Sequence, residues 1–170
     1  MTAKSLASFV EELVSSIENG TAGTMFSRDI VTLEPAILRS LAEGRPASRH
    51  ELAAATGRST EEIVELIERT PEIDADRDNR VLGTGVTLLP TPHRIQLPGR
   101  DHLLYGYCVP DTLFAARFLG EPLRVTSSCP TTGRPVVLEV EPGGVRAADP
   151  PTAVMALVTW FDPDDVRAAT

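Results

Sequence analysis

Two residues three positions apart, Cys108 and Asp111, are the side chains in this sequence best suited to chemistry. Cys108 stands directly before Val109-Pro110, where a predicted strand ends and a predicted helix begins. The unpaired N–H groups and the dipole of a helix N-terminus favour the thiolate, and Asp111 in the first turn would reach the same space. A thiolate beside a carboxylate is suited to binding a soft cation and to passing a proton to a departing group. A buried structural cysteine followed by a helix-capping aspartate has the same spacing, and spacing alone favours that simpler interpretation.

The other candidate residues have weaker patterns. Cys129 lies at the end of a predicted strand, where a small buried residue of the sheet is a simpler interpretation than a second metal ligand. His93 and His102 flank a loop and are expected to be surface or half-buried residues. Tyr107 and Trp160 are expected to line the core or a pocket. The sequence contains no phosphate-binding loop, no GxSxG motif and no dinucleotide fingerprint.

Length and charge narrow the class of protein. A chain of 170 residues and 18.3 kDa suits one domain or two very small ones, and its net charge of −8 disfavours nucleic acid and anionic membranes as partners. Two cysteines and three histidines are too few for a disulfide scaffold or a Cys₄ zinc site. No apolar run approaches the ~20 residues of a membrane span. The expected location is the cytoplasm, where both thiols stay reduced.

Periodic apolar residues predict helices in the first part of the chain. Residues 6–17 carry an apolar face with helical spacing. A second helix is predicted to begin near Leu33, with Pro35 in its first turn, and to end at Gly44.

Two capping boxes and a pair of short strands complete this part. Ser48 with Glu51, and Ser59 with Glu62, have the spacing that begins a helix, and residues 81–88 suit two short strands. Three helices followed by a small hairpin outline a winged helix-turn-helix, which in a regulator would bind DNA. Residues 30–80 carry seven arginines against 11 acidic residues, however, and four glutamates lie on the candidate recognition helix. Repulsion of phosphate disfavours DNA binding.

The chain after Pro90 is predicted to be rich in strands. The predicted strands are 94–97, 102–107, 123–128, 135–140 and 153–161. A helix is predicted at 110–119, with Phe114 and Phe118 on one face and its end at Gly120. A last helix is predicted to begin at Asp162. The predicted fold is α+β, with a helical winged-helix-like region packed on a small mixed or antiparallel sheet with helices. Its two parts are residues 1–88, helical, and residues 89–170, strand-rich and catalytic.

Several segments of the sequence resemble the organomercurial (alkylmercury) lyases. The segment around Cys108 resembles the catalytic segment of that family, and the segment around Cys129 is similar to another segment of the same family. The resemblance extends over roughly residues 30–165, in the same order and with similar spacing. The matching segments are 103–114 (LLYGYCVPDTLF), 124–133 (RVTSSCPTTG), 41–46 (LAEGRP), 85–88 (GVTL) and 91–94 (TPHR).

The resemblance implies protonolysis of a carbon–mercury bond, a reaction of mercury resistance and detoxification. It implies that the Cys108 thiolate takes up the mercury of an organomercurial, and that Asp111 manages the proton given to the leaving carbon. Cys108 and Asp111 would then contact the substrate mercury, Cys129 would be structural, and no cofactor would be needed. Cellular thiols or a mercuric reductase would accept the Hg(II).

The resemblance also implies a second catalytic cysteine, at a position past Thr170, where this sequence ends. Without that thiol, as in a truncated or diverged member, slow or absent protonolysis is expected. The alternatives are a non-catalytic protein that binds soft metals or organomercurials through Cys108, Asp111 and Cys129, and, less favoured, a winged-helix transcriptional regulator. A monomer or a homodimer is expected.

Overall fold

The computed structural model describes residues 28–155. The predicted helix at 6–17, the predicted helix from Asp162 and the side chain of Trp160 lie outside the described residues, as does most of the predicted strand 153–161. Residues 153–155, which are described, have no regular secondary structure.

The first described element is helix α1 (Arg28–Ala42), which begins earlier than the sequence predicts. The prediction of a start near Leu33, with Pro35 in the first turn, is wrong because Pro35 lies inside the helix. Ile30 and Leu33 extend the apolar face towards the N-terminus and are only 4% and 1% exposed. Burial of this face outweighs the loss of one backbone donor at the proline.

Two short helices follow, and both begin with the predicted capping boxes. In α2 (Arg49–Thr56) the Ser48 N–H donates to the Glu51 carboxylate at 2.9 Å, and the Glu51 N–H donates back to the Ser48 hydroxyl at 3.3 Å. The same exchange begins α3 (Thr60–Glu68), so both predictions are confirmed. Reciprocal bonds of this kind satisfy donors that every helix start leaves open.

All eight described strands form one antiparallel sheet, in the order β1-β2-β3-β5-β4-β6-β7-β8. The strands are β1 (Asp74–Ala75), β2 (Val81–Thr84), β3 (Val86–Thr87), β4 (His93–Gln96), β5 (Leu103–Gly106), β6 (Leu123–Ser128), β7 (Pro135–Glu141) and β8 (Gly144–Asp149). The α+β prediction is confirmed, and strand β8 is an addition to it. The sheet joins the two parts of the chain, because β3 pairs with β5.

The fourth described helix, α4 (Val109–Leu119), contacts the sheet, and α1 packs against both α4 and β2. Gly120 ends α4 in the left-handed conformation with φ of 71°, as predicted. The buried residues of α4 are small, whereas Phe114 and Phe118 are 45% and 41% exposed on its outer side. Small side chains on its inner face let α4 approach the sheet closely. None of the described helices is long and apolar enough to cross a membrane.

Candidate active site

Cys108 occupies the junction between β5 and α4 and is the N-cap residue of the helix. The chain can turn there because residue 106 is glycine: a Cβ at Gly106 would lie 2.5 Å from Thr112 Cγ2 and 2.9 Å from the Cys108 carbonyl oxygen. The N–H of Tyr107 donates to the Gly85 carbonyl at 2.7 Å, which ties the junction to the turn between β2 and β3. Close backbone packing therefore holds the thiol in place.

The Asp111 carboxylate receives two hydrogen bonds from Cys108. Its Oδ2 accepts from the backbone N–H at 2.9 Å and from Sγ at 2.9 Å. The predicted proximity of the thiol and the carboxylate is confirmed. Burial raises the pKa of Asp111, and the two bonds from Cys108 partly oppose that rise.

The prediction that the helix N-terminus favours the Cys108 thiolate is wrong for the free protein. Burial, and then the negative charge of Asp111, raise the pKa of Cys108 well above its ordinary value. The reason is local: the N–H at the helix start is bonded to Asp111, and the charge beside the sulfur is negative. At neutral pH the Cys108 sulfur keeps its proton and donates a hydrogen bond to the Asp111 carboxylate.

A turn of the backbone closes over the second oxygen of Asp111. Gly85 lies between β2 and β3 with φ of +72°, and a Cβ there would be 3.0 Å from Asp111 Oδ1. The position needs glycine both for its left-handed backbone and for this approach. Sequence reasoning missed the contact of Gly85 with Asp111; the available signals were a glycine between two short strands and its place in the matching segment 85–88.

A second carboxyl group, that of Glu34, reaches the site from α1. It shares a hydrogen bond with Thr84, the last residue of β2. Thr84 is only 5% exposed. Burial first, and then the charge of Asp111, raise the pKa of Glu34 to about 8. Sequence reasoning missed this residue. The available signal was an acidic residue three and four positions before the fully buried Ile37 and Leu38, which places it on the inner side of the helix.

His93 approaches the same site from the start of β4. Its Nδ1 lies 2.9 Å from the Ser127 hydroxyl oxygen, and its backbone is paired with Gly106 of β5. Burial lowers the pKa of His93, and the Asp111 charge opposes that effect. The ring is therefore neutral at neutral pH. The expectation of a half-buried histidine is met, and the proximity to Asp111 is new.

Cys129 does not lie inside the sheet. It follows β6 in the turn to β7, is partly exposed, and exchanges backbone hydrogen bonds with Gly133 and Arg134. Its interpretation as a small buried residue of the sheet is therefore wrong. A hydrogen bond from the Thr132 side chain, then from backbone N–H groups, lowers the pKa of Cys129.

The remaining candidates support the framework. The Tyr107 hydroxyl donates to the Asp74 carboxylate, which joins the residue after β5 to β1. His102 donates from Nε2 to the Ala42 carbonyl at 3.1 Å, at the end of α1. Within residues 28–155, no three histidine, cysteine, aspartate or glutamate side chains are grouped to hold a metal ion. For a soft metal ion, the described site thus offers the Cys108 sulfur and the Asp111 carboxylate beside it.

Two family models match the chain and together cover almost all of it. One, described as alkylmercury lyase, matches residues 86–169. The other, described as the helix-turn-helix domain of alkylmercury lyase, matches residues 9–85. The Cys108–Asp111 pair lies in the first match, and Glu34 lies in the second.

Curated relatives and a solved structure agree with these matches. An alkylmercury lyase of Staphylococcus epidermidis is 36% identical over 98% of this chain and 74% of its own length. One of Streptomyces lividans is 40% identical over 78% of this chain and 61% of its own length. The crystal structure of the mercury-bound form of MerB2 is similar with a TM-score of 0.58 and 25% identity, over 73% of this chain and 61% of that one.

Proposed function

The chain belongs to the alkylmercury lyase family, and from this premise we propose that it cleaves the carbon–mercury bond of organomercurials by protonolysis. The observation that carries the proposal is the hydrogen bond of 2.9 Å from Cys108 Sγ to Asp111 Oδ2. The Cys108 sulfur can bind a soft cation, and the Asp111 carboxylate beside it can accept the thiol proton. The products would be a hydrocarbon and Hg(II).

The first step is uptake of the substrate by Cys108. The S–H bond breaks, its proton moves along the existing hydrogen bond to Asp111, and the sulfur forms a bond to the mercury of the organomercurial cation. Asp111 becomes a neutral carboxylic acid, and the positive charge of the cation is neutralised by the thiolate. A soft metal favours this exchange, because thiolates bind mercury far better than carboxylates do.

The second step returns the same proton to carbon. The carbon–mercury bond breaks, and its electron pair takes the proton from the Asp111 carboxyl group. The hydrocarbon leaves, Asp111 is again a carboxylate, and Hg(II) stays on the Cys108 sulfur. Cellular thiols, or a mercuric reductase in the cytoplasm, would remove the metal. Both steps use only the Cys108 thiol and the Asp111 carboxyl group, and the proposed cycle needs no cofactor.

The experiment that tests this proposal is single-turnover release of benzene from phenylmercury in excess thiol. The matched variants are Cys108→Ser and Cys129→Ser, which remove one sulfur each. We expect Cys108→Ser to abolish both mercury uptake and benzene release, and Cys129→Ser to retain both. Release that survives Cys108→Ser refutes the assignment of the thiol. Uptake of phenylmercury by the parent chain without release of benzene supports a binding protein instead of a lyase.

We propose that the helix-turn-helix part serves as a wall of this site and does not read DNA. Four glutamates on α3 are exposed, which opposes approach to phosphate: Glu61, Glu62, Glu65 and Glu68. Helix α1 of the same part carries Glu34 towards Asp111. Fluorescence anisotropy with duplex DNA at low salt tests this, and salt-dependent binding would refute it.

A further inference from the structure

Tyr107 lies between the last residue of β5 and Cys108, and it is held by two hydrogen bonds. Its backbone N–H donates to the Gly85 carbonyl at 2.7 Å, and its hydroxyl donates to the Asp74 carboxylate. Because β2 and β3 stand between β1 and β5 in the sheet, the side-chain bond joins segments that are separated by two strands.

These two bonds connect the two parts of the chain. Asp74 and Gly85 belong to the helix-turn-helix part, whereas Tyr107 belongs to the lyase part, directly before the thiol. Both the main chain and the side chain of Tyr107 are therefore attached to the helix-turn-helix part.

The acceptor residue Asp74 has a well-packed support. On β1 it pairs with Gly83 of β2, and Ile73 directly before it is buried. Strand β2 is attached in turn to the segment between α1 and α2: the Val81 N–H donates to the Ala47 carbonyl at 2.8 Å, and the Ala47 N–H donates to the Val81 carbonyl at 2.9 Å. Ala47 and Val81 are fully buried. Asp74 is thus a fixed point against which the side chain of Tyr107 is held.

Resting on the proposed function, we propose that Asp74 and Tyr107 are positioning residues for the Cys108 thiol. The hydrogen bond between their side chains holds the junction of β5 and α4, so that Sγ stays 2.9 Å from Asp111 Oδ2. Both residues act through the backbone of Cys108 and take no part in the bonds that form and break.

The proposed reaction depends on the distance from Cys108 to Asp111 most strongly in its second step. Proton transfer needs the donor and the acceptor within hydrogen-bond reach, and a displacement of about 1 Å can slow a reaction about a hundredfold. The proton that leaves the sulfur during uptake can pass to solvent, whereas the proton that reaches carbon must come from the group beside it. Loss of the Asp74–Tyr107 bond should therefore slow benzene release more than uptake of phenylmercury.

The first test compares uptake of phenylmercury with single-turnover benzene release in Tyr107→Phe, Asp74→Ala and Asp74→Asn. Tyr107→Phe removes the donor and Asp74→Ala removes the acceptor, whereas Asp74→Asn keeps a carbonyl oxygen that can accept the bond. We expect the first two variants to release benzene about tenfold to a hundredfold more slowly with little change in uptake, and Asp74→Asn to restore most of the rate. Tyr105→Phe, which removes a hydroxyl group from β5 itself, is the matched control and should keep the parent rate.

The double variant tests whether the two residues act through one bond. Tyr107→Phe combined with Asp74→Ala should release benzene at the rate of either single variant, because each change already removes the bond. Losses that multiply in the double variant refute the proposal, as does an Asp74→Asn variant that is as slow as Asp74→Ala. An equal fall in uptake and release also refutes it, because general damage to the fold affects both steps.

Alkylation of Cys108 by iodoacetamide tests the same role without turnover. In the Cys129→Ser background, Tyr107→Phe and Asp74→Ala should speed this alkylation severalfold, because a loosened junction exposes the sulfur, whereas Asp74→Asn should leave it slow. Urea unfolding of the same variants gives the fraction of unfolded chain. Alkylation that does not rise, or that rises no more than this fraction, refutes the proposal.

These two tests separate the positioning role from the proposed function. A parent chain that releases no benzene refutes the proposed function, and the alkylation rates then still decide whether Asp74 and Tyr107 hold the thiol. Benzene release that Tyr107→Phe leaves unchanged refutes only the role of these two residues.

Discussion

Replacing Glu34 with glutamine should change how the stability of the protein depends on pH. In the folded protein the pKa of Glu34 is raised from 4.5 to about 8, so the folded state holds this proton more tightly than the unfolded chain does. Below pH 4.5 both states are protonated, and the residue has no pH-dependent effect on stability. Between pH 4.5 and 8 unfolding releases the proton, and the free energy of unfolding falls as the pH rises.

The size of the effect follows from the same shift. A rise in pKa from 4.5 to about 8 corresponds to about 5 kcal/mol when Glu34 is ionised in both states. Because its side chain is only partly buried, water that reaches the ionised group reduces this penalty, and we expect about 2–4 kcal/mol. Glu34→Gln removes the penalty. The variant should match the parent chain near pH 4, apart from a constant offset, and become increasingly more stable up to about pH 8.

Urea unfolding at several pH values from about 4 to 9 measures this difference directly. The control is Glu65→Gln, which makes the same chemical change at an exposed position on α3. The control should not reproduce the gain in stability of Glu34→Gln, because the Glu65 side chain is exposed to solvent. Parallel stability curves for the parent and Glu34→Gln would refute the conclusion that the site holds Glu34 in its protonated form.

Three further predictions concern the thiols and the turn beside Asp111. With iodoacetamide at neutral pH, Cys129 should react first and Cys108 slowly, because the pKa of Cys129 is lowered and that of Cys108 is raised; Cys129→Ser should remove the fast phase seen by mass spectrometry. In the Cys129→Ser background, Asp111→Asn should speed alkylation of Cys108, because it removes the negative charge that raises the thiol pKa. Gly85→Ala should lower the free energy of unfolding by about 1–2 kcal/mol and slow benzene release, because a side chain at φ of +72° is strained and its Cβ presses on Asp111.

Each of these has a result that would contradict it. Equal alkylation rates for the two thiols would mean that burial does not suppress ionisation of Cys108. An unchanged rate after Asp111→Asn would remove the carboxylate as a cause of that suppression. For the glycine, Gly99→Ala is the matched control, since it changes a turn of similar φ, +71°, with nothing within 4 Å of the added Cβ. Equal rates of benzene release in the two glycine variants would show that contact with Asp111 is unimportant.

Local sequence patterns predicted the elements whose ends are set by neighbouring residues. The two capping boxes and the end of α4 at Gly120 depend on bonds and torsions within a few positions, and the structure confirms them. The closeness of Cys108 and Asp111 is also a local property, because residues three positions apart at the start of a helix lie on the same face.

The sequence-based predictions were wrong where tertiary packing decided the extent of a helix or the burial of a side chain. The sequence predicted that α1 begins near Leu33, but burial of Ile30 extends the helix past the proline. The strand pattern before Cys129 predicts a buried residue of the sheet, whereas the hairpin turn leaves Cys129 partly exposed. Both outcomes depend on which distant residues cover the segment, and local patterns carry no information on that.

The sequence by itself determined the α+β class, the pair of Cys108 and Asp111, and the resemblance to alkylmercury lyases, because each depends on residue types at short or ordered spacing. Only the tertiary structure decided the protonation of that pair. Glu34, Gly85 and His93 come from separate elements and reach Asp111 only when α1, the β2–β3 turn and β4 are packed around α4. The charge state of a buried thiol is set by burial and by all neighbouring charges together, and these exist only in the folded chain.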